Sequence, residues 1–304
     1  MKKVVVFGGS GFLGSHVADA LSDRGYKVTV FDLNPSPFLR QDQEMVLGNI
    51  LDKNDVIKVC HGADYVYNFA GLADINEAKE KPVQTAELNI IGNLNILEGA
   101  RLAQVRRFVY ASTVYVYSSS GSFYRASKQA CENFVELFFE KYGLPFTILR
   151  YGSLYGRRSD LRNTIHRFIY TALTEGELRY QGTGEELREY IHAVDAATAS
   201  VQALDAAFEN QHFVITGSQV SRVKDVMMMI SEMLENKIKL TCENLGLEAH
   251  YNITPYTFKP KLGKKLVVNP YVDMGQGLLD CIHEISDKLL PNTAHQEDPL
   301  HDNV

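Results

Sequence analysis

The stretch VVVFGGSGFLGSHVADALSDRGYKVTVFD, residues 4–32, decides the fold. It opens with a short apolar run, and three glycines then follow in a Gly-x-x-Gly-x-x-Gly spacing: Gly8, Gly11 and Gly14. Phe12–Arg24 carries apolar residues at helical spacing and stops at Gly25. Lys27–Phe31 is a second short apolar run. The stretch therefore predicts a strand, a tight turn, a helix and a second strand, in that order.

The same alternation of strand and helix patterns continues along the first half of the chain. Strands that alternate with helices predict a parallel sheet covered on both faces. We therefore expect an α/β fold with a Rossmann-type doubly wound parallel sheet. The further predicted strands are Glu44–Leu47, Asp64–Phe69, Arg107–Ala111 and Pro145–Leu149, and the further predicted helices are Asn54–Cys60, Pro82–Ala103 and Tyr124–Tyr142.

The second half is less regular and predicts a smaller C-terminal lobe. We expect residues 1–150 to form the main domain and residues 151–290 to contribute mostly to the lobe, while the polar residues 291–304 form a disordered tail. The elements predicted here are helices at Leu161–Thr174, Ala196–Phe208, Val223–Leu234 and Gly277–Leu290, and a short strand at Tyr190–Ala193.

Composition excludes several classes of protein. The chain has 304 residues, 45% hydrophobic and 22% charged, which is typical of a folded globular protein. Its net charge of −6 and its lack of basic clusters argue against nucleic acid as a partner. No apolar run approaches the roughly 18 residues of a membrane span. We expect a cytoplasmic protein with reduced thiols and no metal site, because its cysteines have no metal or redox spacing: Cys60, Cys131, Cys242 and Cys281.

The glycine turn has the features of a dinucleotide site. One glycine permits the tight turn, a second lets the backbone approach a pyrophosphate, and the third lets helix and strand pack closely. The N–H groups at the start of the helix then face the anion. Asp32 ends the second strand, where a carboxylate accepts hydrogen bonds from the adenosine ribose and would repel a 2′-phosphate. We therefore predict NAD rather than NADP as the cofactor.

Tyr124 and Lys128 form a Tyr-x-x-x-Lys pair, and this spacing puts both side chains on one helix face. The spacing alone occurs by chance, so the position of the pair matters more. The helix follows the fifth strand, which ends in Ala111-Ser112-Thr113 at the carboxyl edge of the sheet, where open α/β sheets bind ligands. A nearby ammonium and an oxidised nicotinamide are expected to lower the tyrosine pKa from its usual value of about 10, which makes the phenol a usable base.

With these motifs in order, the chain resembles the extended short-chain dehydrogenase/reductases of the NAD-dependent epimerase/dehydratase family, which act on nucleotide sugars. The resemblance runs from Lys2 to about Leu290. Besides the glycine turn and Asp32, it rests on NFAG at 68–71, N-x-x-G-x-x-N at Asn89, Gly92 and Asn95, STVYVY at 112–117, YRASK at 124–128, LRYGSLYG at 149–156 and REYIHAVDAA at 188–197.

The resemblance implies roles for the site residues. Tyr124 would be the acid/base, Lys128 its activator and Thr113 the hydroxyl partner, with Ser112 competing for this last role. Arg188 would grip the nucleotide diphosphate, since a guanidinium can make bidentate contacts to phosphate. The residues expected at the cofactor are Gly8, Gly11, Phe12, Leu13, Gly14, Asp32, Asn49, Ile50, Phe69, Ala70, Gly71, Asn89 and Lys128. Those expected at the substrate, partly in a substrate-binding lobe, are Ser112, Thr113, Tyr124, Ser153 and Arg188.

Three positions depart from the family pattern. Ser153 replaces an asparagine that touches the sugar diphosphate, and Asn49 replaces an aspartate that meets the adenine amino group, although an amide oxygen can still accept that bond. Only residues 118–123 separate Tyr117 from Tyr124, where most relatives have a longer loop that walls the sugar site. This short loop opens or reshapes the expected sugar pocket.

A further departure concerns the chemistry. Val114 and Tyr115 occupy the places where 4,6-dehydratases of the family carry Asp-Glu, and decarboxylating relatives keep the glutamate. Without that carboxylate, β-elimination has no evident acid/base pair. The reactions that remain possible for this chain are reversible oxidation with epimerisation and simple keto reduction.

Our leading hypothesis is an NAD-dependent nucleotide-sugar epimerase, acting at C4 of a UDP-hexose by transient oxidation to a keto-sugar. The alternatives are a nucleotide-sugar keto-reductase of deoxysugar biosynthesis and a dinucleotide-binding regulator without turnover.

The two long helices also predict a homodimer. By resemblance they would pair with their copies in a two-fold, four-helix interface, the alternative being burial under the second lobe. The apolar residues concerned are Leu88, Ile91, Leu94 and Leu97 on the first helix and Phe134, Val135, Leu137, Phe138 and Phe139 on the second.

Overall fold

A computed structural model of the chain describes residues 1–235, 237–243, 250–256 and 279. Contacts divide the chain into two compact units, Met1–Lys259 and Pro260–Val304. The predicted helix Gly277–Leu290, apart from Leu279, and the predicted tail 291–304 lie outside the described residues. All of the described residues except Leu279 belong to the first unit.

The first half of the chain has the predicted alternation of strands and helices. Its strands are β1 (Lys3–Phe7), β2 (Lys27–Asp32), β3 (Gln43–Leu47), β4 (Tyr65–Asn68), β5 (Arg107–Thr113) and β6 (Phe146–Tyr151). Its helices are α1 (Phe12–Asp23), α2 (Lys53–Cys60), α3 (Ile75–Glu80), α4 (Pro82–Ala86), α5 (Gly92–Leu102) and α6 (Ser122–Tyr142). A π-helical turn, Glu87–Ile91, joins α4 to α5, and a 3₁₀ turn, Val114–Tyr117, follows β5.

The second half contains more strands than the sequence patterns indicate. Its helices are α7 (Thr164–Glu175), α8 (Ala193–Gln202) and α9 (Val223–Met233), with a 3₁₀ turn at Ala206–Phe208. Its strands are β7 (Ser153–Tyr155), β8 (Glu177–Tyr180), β9 (Leu187–His192), β10 (Gln211–Ile215), β11 (Val220–Arg222) and β12 (Lys239–Cys242). Of these strands, only β9 overlaps a predicted one.

The central sheet has seven strands in the order β3-β2-β1-β4-β5-β6-β10, and all its neighbours pair in parallel. This confirms the predicted Rossmann-type doubly wound sheet. The strand order reverses direction between β1 and β4, which is where open α/β sheets form a ligand crevice at the carboxyl ends of their strands. We therefore expect a ligand site at the carboxyl ends of β1, β4 and β5.

Alternating side chains of the strands fill a hydrophobic core on each face of the sheet. Val5 and Phe7 of β1 belong to one core with side chains of α2, α5 and α6, whereas Val4 and Val6 belong to the other with side chains of α1 and α8. A third cluster, in the second half, includes Phe168 and Leu178 together with side chains of α9. The helices that carry the predicted site residues are thus fixed on the buried central strands of the sheet.

The second half adds a strand to the central sheet and forms two smaller sheets. Strand β10 pairs with β6, and α8 packs on the α1 side of the sheet, where Tyr67 Oη donates to the carbonyl of Ser200 at 2.9 Å. The remaining strands form a three-stranded sheet, β11-β9-β7, and a two-stranded one, β12-β8. The boundary at residue 150 stays a prediction.

Two features that would indicate other classes of protein do not occur in the described part of the chain. No helix there combines the length and apolarity needed to cross a bilayer. Nor do three or more His, Cys, Asp or Glu side chains gather there as a potential metal site.

Candidate active site

The glycine turn lies between β1 and α1 at the switch point of the sheet. Gly8 has a φ of +75°, and a Cβ placed there would lie 2.6 Å from the backbone nitrogen of Ala70. A Cβ on Gly14 would overlap the carbonyl oxygen of Gly8. Gly11 is the N-cap of α1, so no capping side chain occupies the first N–H groups of the helix, which include those of Phe12 and Leu13. The turn is therefore a bare backbone cradle that fits a pyrophosphate.

Asp32 lies beside this cradle at the end of β2. Its carboxylate accepts hydrogen bonds from the backbone N–H groups of Ser10 and Asn34, each at 3.1 Å. These bonds fix the carboxylate next to the turn, and a carboxylate has further lone pairs for a ribose diol. The position fits the predicted contact with an adenosine ribose.

The loops after β3 and β4 complete the predicted cofactor region. Asn49 is followed by Ile50, whose carbonyl accepts a hydrogen bond from Asn95 at 3.0 Å, and the Asn49 amide oxygen accepts one from the backbone N–H of Leu51 at 2.9 Å. Phe69, Ala70 and Gly71 follow β4, and the N–H of Phe69 donates to the carbonyl of Phe7 at 2.8 Å. The loops after β1 and β4 are thus in direct contact.

Asn89 connects the cofactor region to the catalytic helix. It lies in the π-helical turn, is 3% exposed, and exchanges two hydrogen bonds with the backbone of Leu72 at 2.7 and 3.1 Å. Its amide nitrogen also donates to Ser127 Oγ at 2.9 Å, and that hydroxyl donates to the carbonyl of Tyr124 at 2.8 Å. The side chain predicted to contact the cofactor is therefore engaged in linking the loop after β4 to α6.

Thr113, Tyr124 and Lys128 are brought together at the carboxyl end of β5. The Thr113 hydroxyl lies close enough to the Tyr124 phenol to lower its pKa. Lys128 is 7% exposed, its Nζ donates to the carbonyl of Ala111 at 2.8 Å, and it lies 5.9 Å from the centroid of the Tyr124 ring. An ammonium has three N–H groups, so this one bond leaves capacity for further acceptors.

Burial dominates the pKa of Tyr124 in the protein alone. It raises the pKa of the phenol to about 12, and the interaction with Thr113 acts in the opposite direction. The expected lowering of this pKa by the Lys128 ammonium together with an oxidised nicotinamide stays a prediction. Burial likewise lowers the pKa of Lys128 to about 8.

Ser112 and Thr113 point to different partners. Ser112 is 4% exposed, and its hydroxyl donates to the carboxylate of Glu132 on α6. Of the two candidates for the hydroxyl that meets the substrate, Thr113 is the one in contact with Tyr124.

The predicted substrate residues Arg188 and Ser153 meet through an aromatic side chain that the sequence did not indicate. The guanidinium of Arg188 lies 4.5 Å from the centroid of the Tyr251 ring, and Ser153 Oγ is 3.5 Å from Tyr251 Oη. Arg188 is 7% exposed, and its Nη1 donates to the carbonyls of Leu187 and Asn252 at 2.9 and 3.4 Å. Segment 250–256 therefore lies against the predicted diphosphate residue.

Tyr115 bridges this segment to the catalytic tyrosine. Its ring centroid lies 6.4 Å from that of Tyr124 and 4.6 Å from that of Tyr251, and its hydroxyl is 2.7 Å from Nδ1 of His250. In the sequence, Tyr115 was marked only as the position where some relatives carry a glutamate, and no motif marked His250 or Tyr251. Their roles depend on a contact across more than 130 positions, which local patterns do not encode.

These features together define a dinucleotide-dependent enzyme with a tyrosine and a lysine at the crevice of a Rossmann-type sheet. The family model described as "NAD dependent epimerase/dehydratase family" matches residues 4–216. The chain therefore belongs to this family, which confirms the resemblance drawn from its motifs. NAD is the cofactor, and the bare glycine cradle and Asp32 fit it.

Proteins that are similar to this chain in sequence are named for different reactions. The chain is 29% identical to the UDP-N-acetyl-alpha-D-glucosaminuronate decarboxylase of Bacillus cytotoxicus, over 92% of this chain and 97% of that protein. It is 29% identical to a putative UDP-glucose 4-epimerase of Methanocaldococcus jannaschii, over 66% of this chain and 73% of that protein. The sequence relatives thus agree on nucleotide sugars but not on one reaction.

Solved structures show the same fold. The UDP-glucose 4-epimerase of Thermotoga maritima with UDP-glucose superposes with a TM-score of 0.76 at 24% identity, covering 95% of this chain and 100% of that one. The UDP-N-acetylglucosamine 4-epimerase of Methanobrevibacter ruminantium, in complex with UDP-N-acetylmuramic acid, has a TM-score of 0.75 at 25% identity, covering 84% and 89%.

Proposed function

We propose that the protein is an NAD-dependent nucleotide-sugar epimerase that inverts C4 of a UDP-hexose. The observation that carries the proposal is the position of Lys128: its ammonium is bonded to Ala111 at the carboxyl end of β5 and lies 5.9 Å from the Tyr124 ring. Thr113 and Tyr124 lie at the same edge of the sheet as the glycine cradle. The 4-epimerases among the relatives and the solved structures support the choice of reaction.

The chain's own residues would act on the sugar hydroxyl and its proton. Thr113 would hydrogen-bond the C4 oxygen and hold it within reach of Tyr124, which takes the hydroxyl proton and later returns it. Lys128 would stabilise the resulting phenolate and bond a ribose hydroxyl of the cofactor. The glycine cradle and Asp32 would hold NAD, which would supply reversible hydride transfer at the sugar carbon and so allow the ketone to be reduced on its other face.

Arg188 would hold the diphosphate of the substrate. Stacking on Tyr251 and bonds to two carbonyls fix the guanidinium, and its other N–H groups suit phosphate oxygens. Tyr115 and His250 would form part of the sugar pocket, next to the short loop 118–123. A Cβ on Gly121 of this loop would lie 2.8 Å from the Tyr115 ring, so the loop packs directly on that wall.

A second candidate reaction is decarboxylation of a nucleotide-linked uronic acid, as named for the Bacillus cytotoxicus relative. Tyr115 argues against it, because a phenol hydrogen-bonded to His250 stands where the family resemblance places the glutamate of decarboxylating relatives. The other alternative, keto reduction, would need a steady supply of reduced cofactor.

One assay separates these reactions. We expect purified protein with NAD to interconvert a UDP-hexose and its C4 epimer, with no net NADH and no CO₂, as followed by proton NMR of the sugar and absorbance at the NADH band. Stoichiometric NADH oxidation with a keto-sugar substrate, or CO₂ from a UDP-linked uronic acid, would instead support one of the alternatives.

We also propose a homodimer formed by α4, α5 and α6. Exposed apolar side chains on this face include Ile91 (49% exposed), Leu102 (49%) and Leu137 (52%). Two residues predicted for the interface, Leu97 and Val135, are instead 0% and 1% exposed in the core beneath it. These exposed apolar side chains on neighbouring helices support association with a second copy.

A further inference from the structure

A buried carboxylate lies directly behind the catalytic residues. Glu132 is 4% exposed on α6, one turn after Lys128 and two turns after Tyr124. It accepts hydrogen bonds from the Ser112 hydroxyl and from Nε and Nη2 of Arg150, the last two at 3.0 and 2.6 Å. A buried charge is costly unless it is paired and hydrogen-bonded, and Glu132 is both.

These contacts join every element that carries the proposed catalytic groups. Ser112 precedes Thr113 on β5 and pairs in register with Arg150 on β6. Nη1 of Arg150 also donates to the hydroxyl of Tyr117, at the end of the 3₁₀ turn after β5. Glu132 therefore ties α6 to β5, to β6 and to that turn at the level of Thr113. A shift of α6 along the sheet would break these bonds.

Glu132 also affects the charge of Lys128. Around the ammonium lie Tyr110 of β5, at 4.9 Å to the ring centroid, and Tyr124, Cys131 and Glu132 of α6. Arg150 and Tyr117 lie behind Glu132. Burial lowers the pKa of Lys128 to about 8, while Cys131 and Glu132 act to raise it.

We propose that Glu132 is a positioning residue for the Tyr124–Lys128 pair: it locks α6 in register with Thr113 and keeps Lys128 an ammonium. This inference rests on the proposed roles of Tyr124 and Lys128. Glu132 itself touches neither the substrate nor the cofactor in this account, so it acts only through its neighbours.

The test replaces the carboxylate without changing its size. In Glu132→Gln we expect the pKa of Lys128 to fall, because the Glu132 carboxylate is one of the groups that raise it. The titration is followed by NMR of ¹⁵N-lysine-labelled protein without cofactor, and Lys128→Arg assigns the signal. The high-pH limb of kcat should move to lower pH by the same amount, because the ammonium is lost earlier.

Two variants on the same helix serve as controls. Glu136→Gln removes a carboxylate one turn further along, 42% exposed and paired with His212, and should leave the Lys128 titration and the pH profile unchanged. Glu132→Asp keeps the charge and should keep the titration near that of the parent protein, while kcat falls because the bonds to Ser112 and Arg150 lengthen.

Ser112→Ala keeps the ion pair and tests the positioning role even if Glu132→Gln fails to fold. We expect kcat to fall several-fold with KM and the Lys128 titration unchanged; an unchanged kcat would overturn the positioning role. If Glu132→Gln folds and keeps both the Lys128 pKa and the pH profile of the parent protein, the electrostatic role of Glu132 is overturned. Because the NMR titration needs no turnover, its failure is distinguishable from a failure of the proposed epimerase activity.

Discussion

At the scale of single residues, the site combines a phenol and an ammonium whose pKa values are both displaced by burial. Burial raises the pKa of Tyr124 to about 12 and lowers the pKa of Lys128 to about 8. In the protein alone the phenol therefore keeps its proton at neutral pH. Bound NAD would bring a positive charge that favours the phenolate of Tyr124.

Tyr124→Phe removes the proposed acid/base and keeps the ring. We expect epimerisation to fall by about 10²- to 10⁴-fold, the usual contribution of a positioned acid/base, with the same thermal unfolding midpoint within about 2 °C. Initial rates by NMR of the UDP-hexose pair measure this effect. Tyr142→Phe, at the exposed end of the same helix, is the matched control and should keep the parent rate. Full activity in Tyr124→Phe would refute the catalytic role.

Asp32→Asn tests the choice of dinucleotide. The amide oxygen can still accept hydrogen bonds, but the charge that would repel a 2′-phosphate is gone. We expect the preference for NAD over NADP to shrink by at least about tenfold, since apposed like charges cost several kcal/mol. Fluorescence titration with each cofactor gives the two affinities, with Asp42→Asn as a control on the exposed loop nearby. A preference that does not change would mean that another group selects the cofactor.

At the scale of elements, the glycine turn shows how much of the site the sequence could predict. Its spacing, the helix after it and the acid at the end of β2 are local, so the turn and Asp32 were predictable. Strand β10 and the strands of the two smaller sheets, apart from β9, were not predicted, because short strands such as Ser153–Tyr155 owe their structure to partners distant in sequence. The contacts of Ser112 with Glu132 and of Tyr115 with His250 likewise exist only in the folded chain.

Gly14→Ala tests the close packing of α1 on β1. A methyl group there would overlap the carbonyl oxygen of Gly8, and overpacking of this kind typically costs about 1–3 kcal/mol. We expect the variant to lose about that much unfolding free energy in urea, without cofactor present. Gly11→Ala, where the added carbon would lie 3.3 Å from the same oxygen, should lose clearly less. Equal losses in the two variants would contradict the packing argument.

At the scale of the whole molecule, the sheet places its site at one edge and leaves an apolar face on α4–α6. If that face is the homodimer interface, Leu137→Glu should yield monomers, because a buried unpaired carboxylate at its centre is costly. Light scattering after size-exclusion chromatography should show half the parent mass. Leu173→Glu on α7, at a side chain 67% exposed, is the control and should keep the parent mass. A parent protein that is monomeric would exclude the interface.

In the proposed reaction, hydride leaves the C4 carbon of a UDP-hexose and returns to the same molecule. Substrate deuterated at C4, incubated with the protein and NAD in ordinary water, reports on this transfer. We predict that the C4 epimer forms and retains its deuterium, as seen by mass spectrometry and NMR of the product. Loss of the label to solvent, or no epimer from any UDP-hexose tested, would contradict the account.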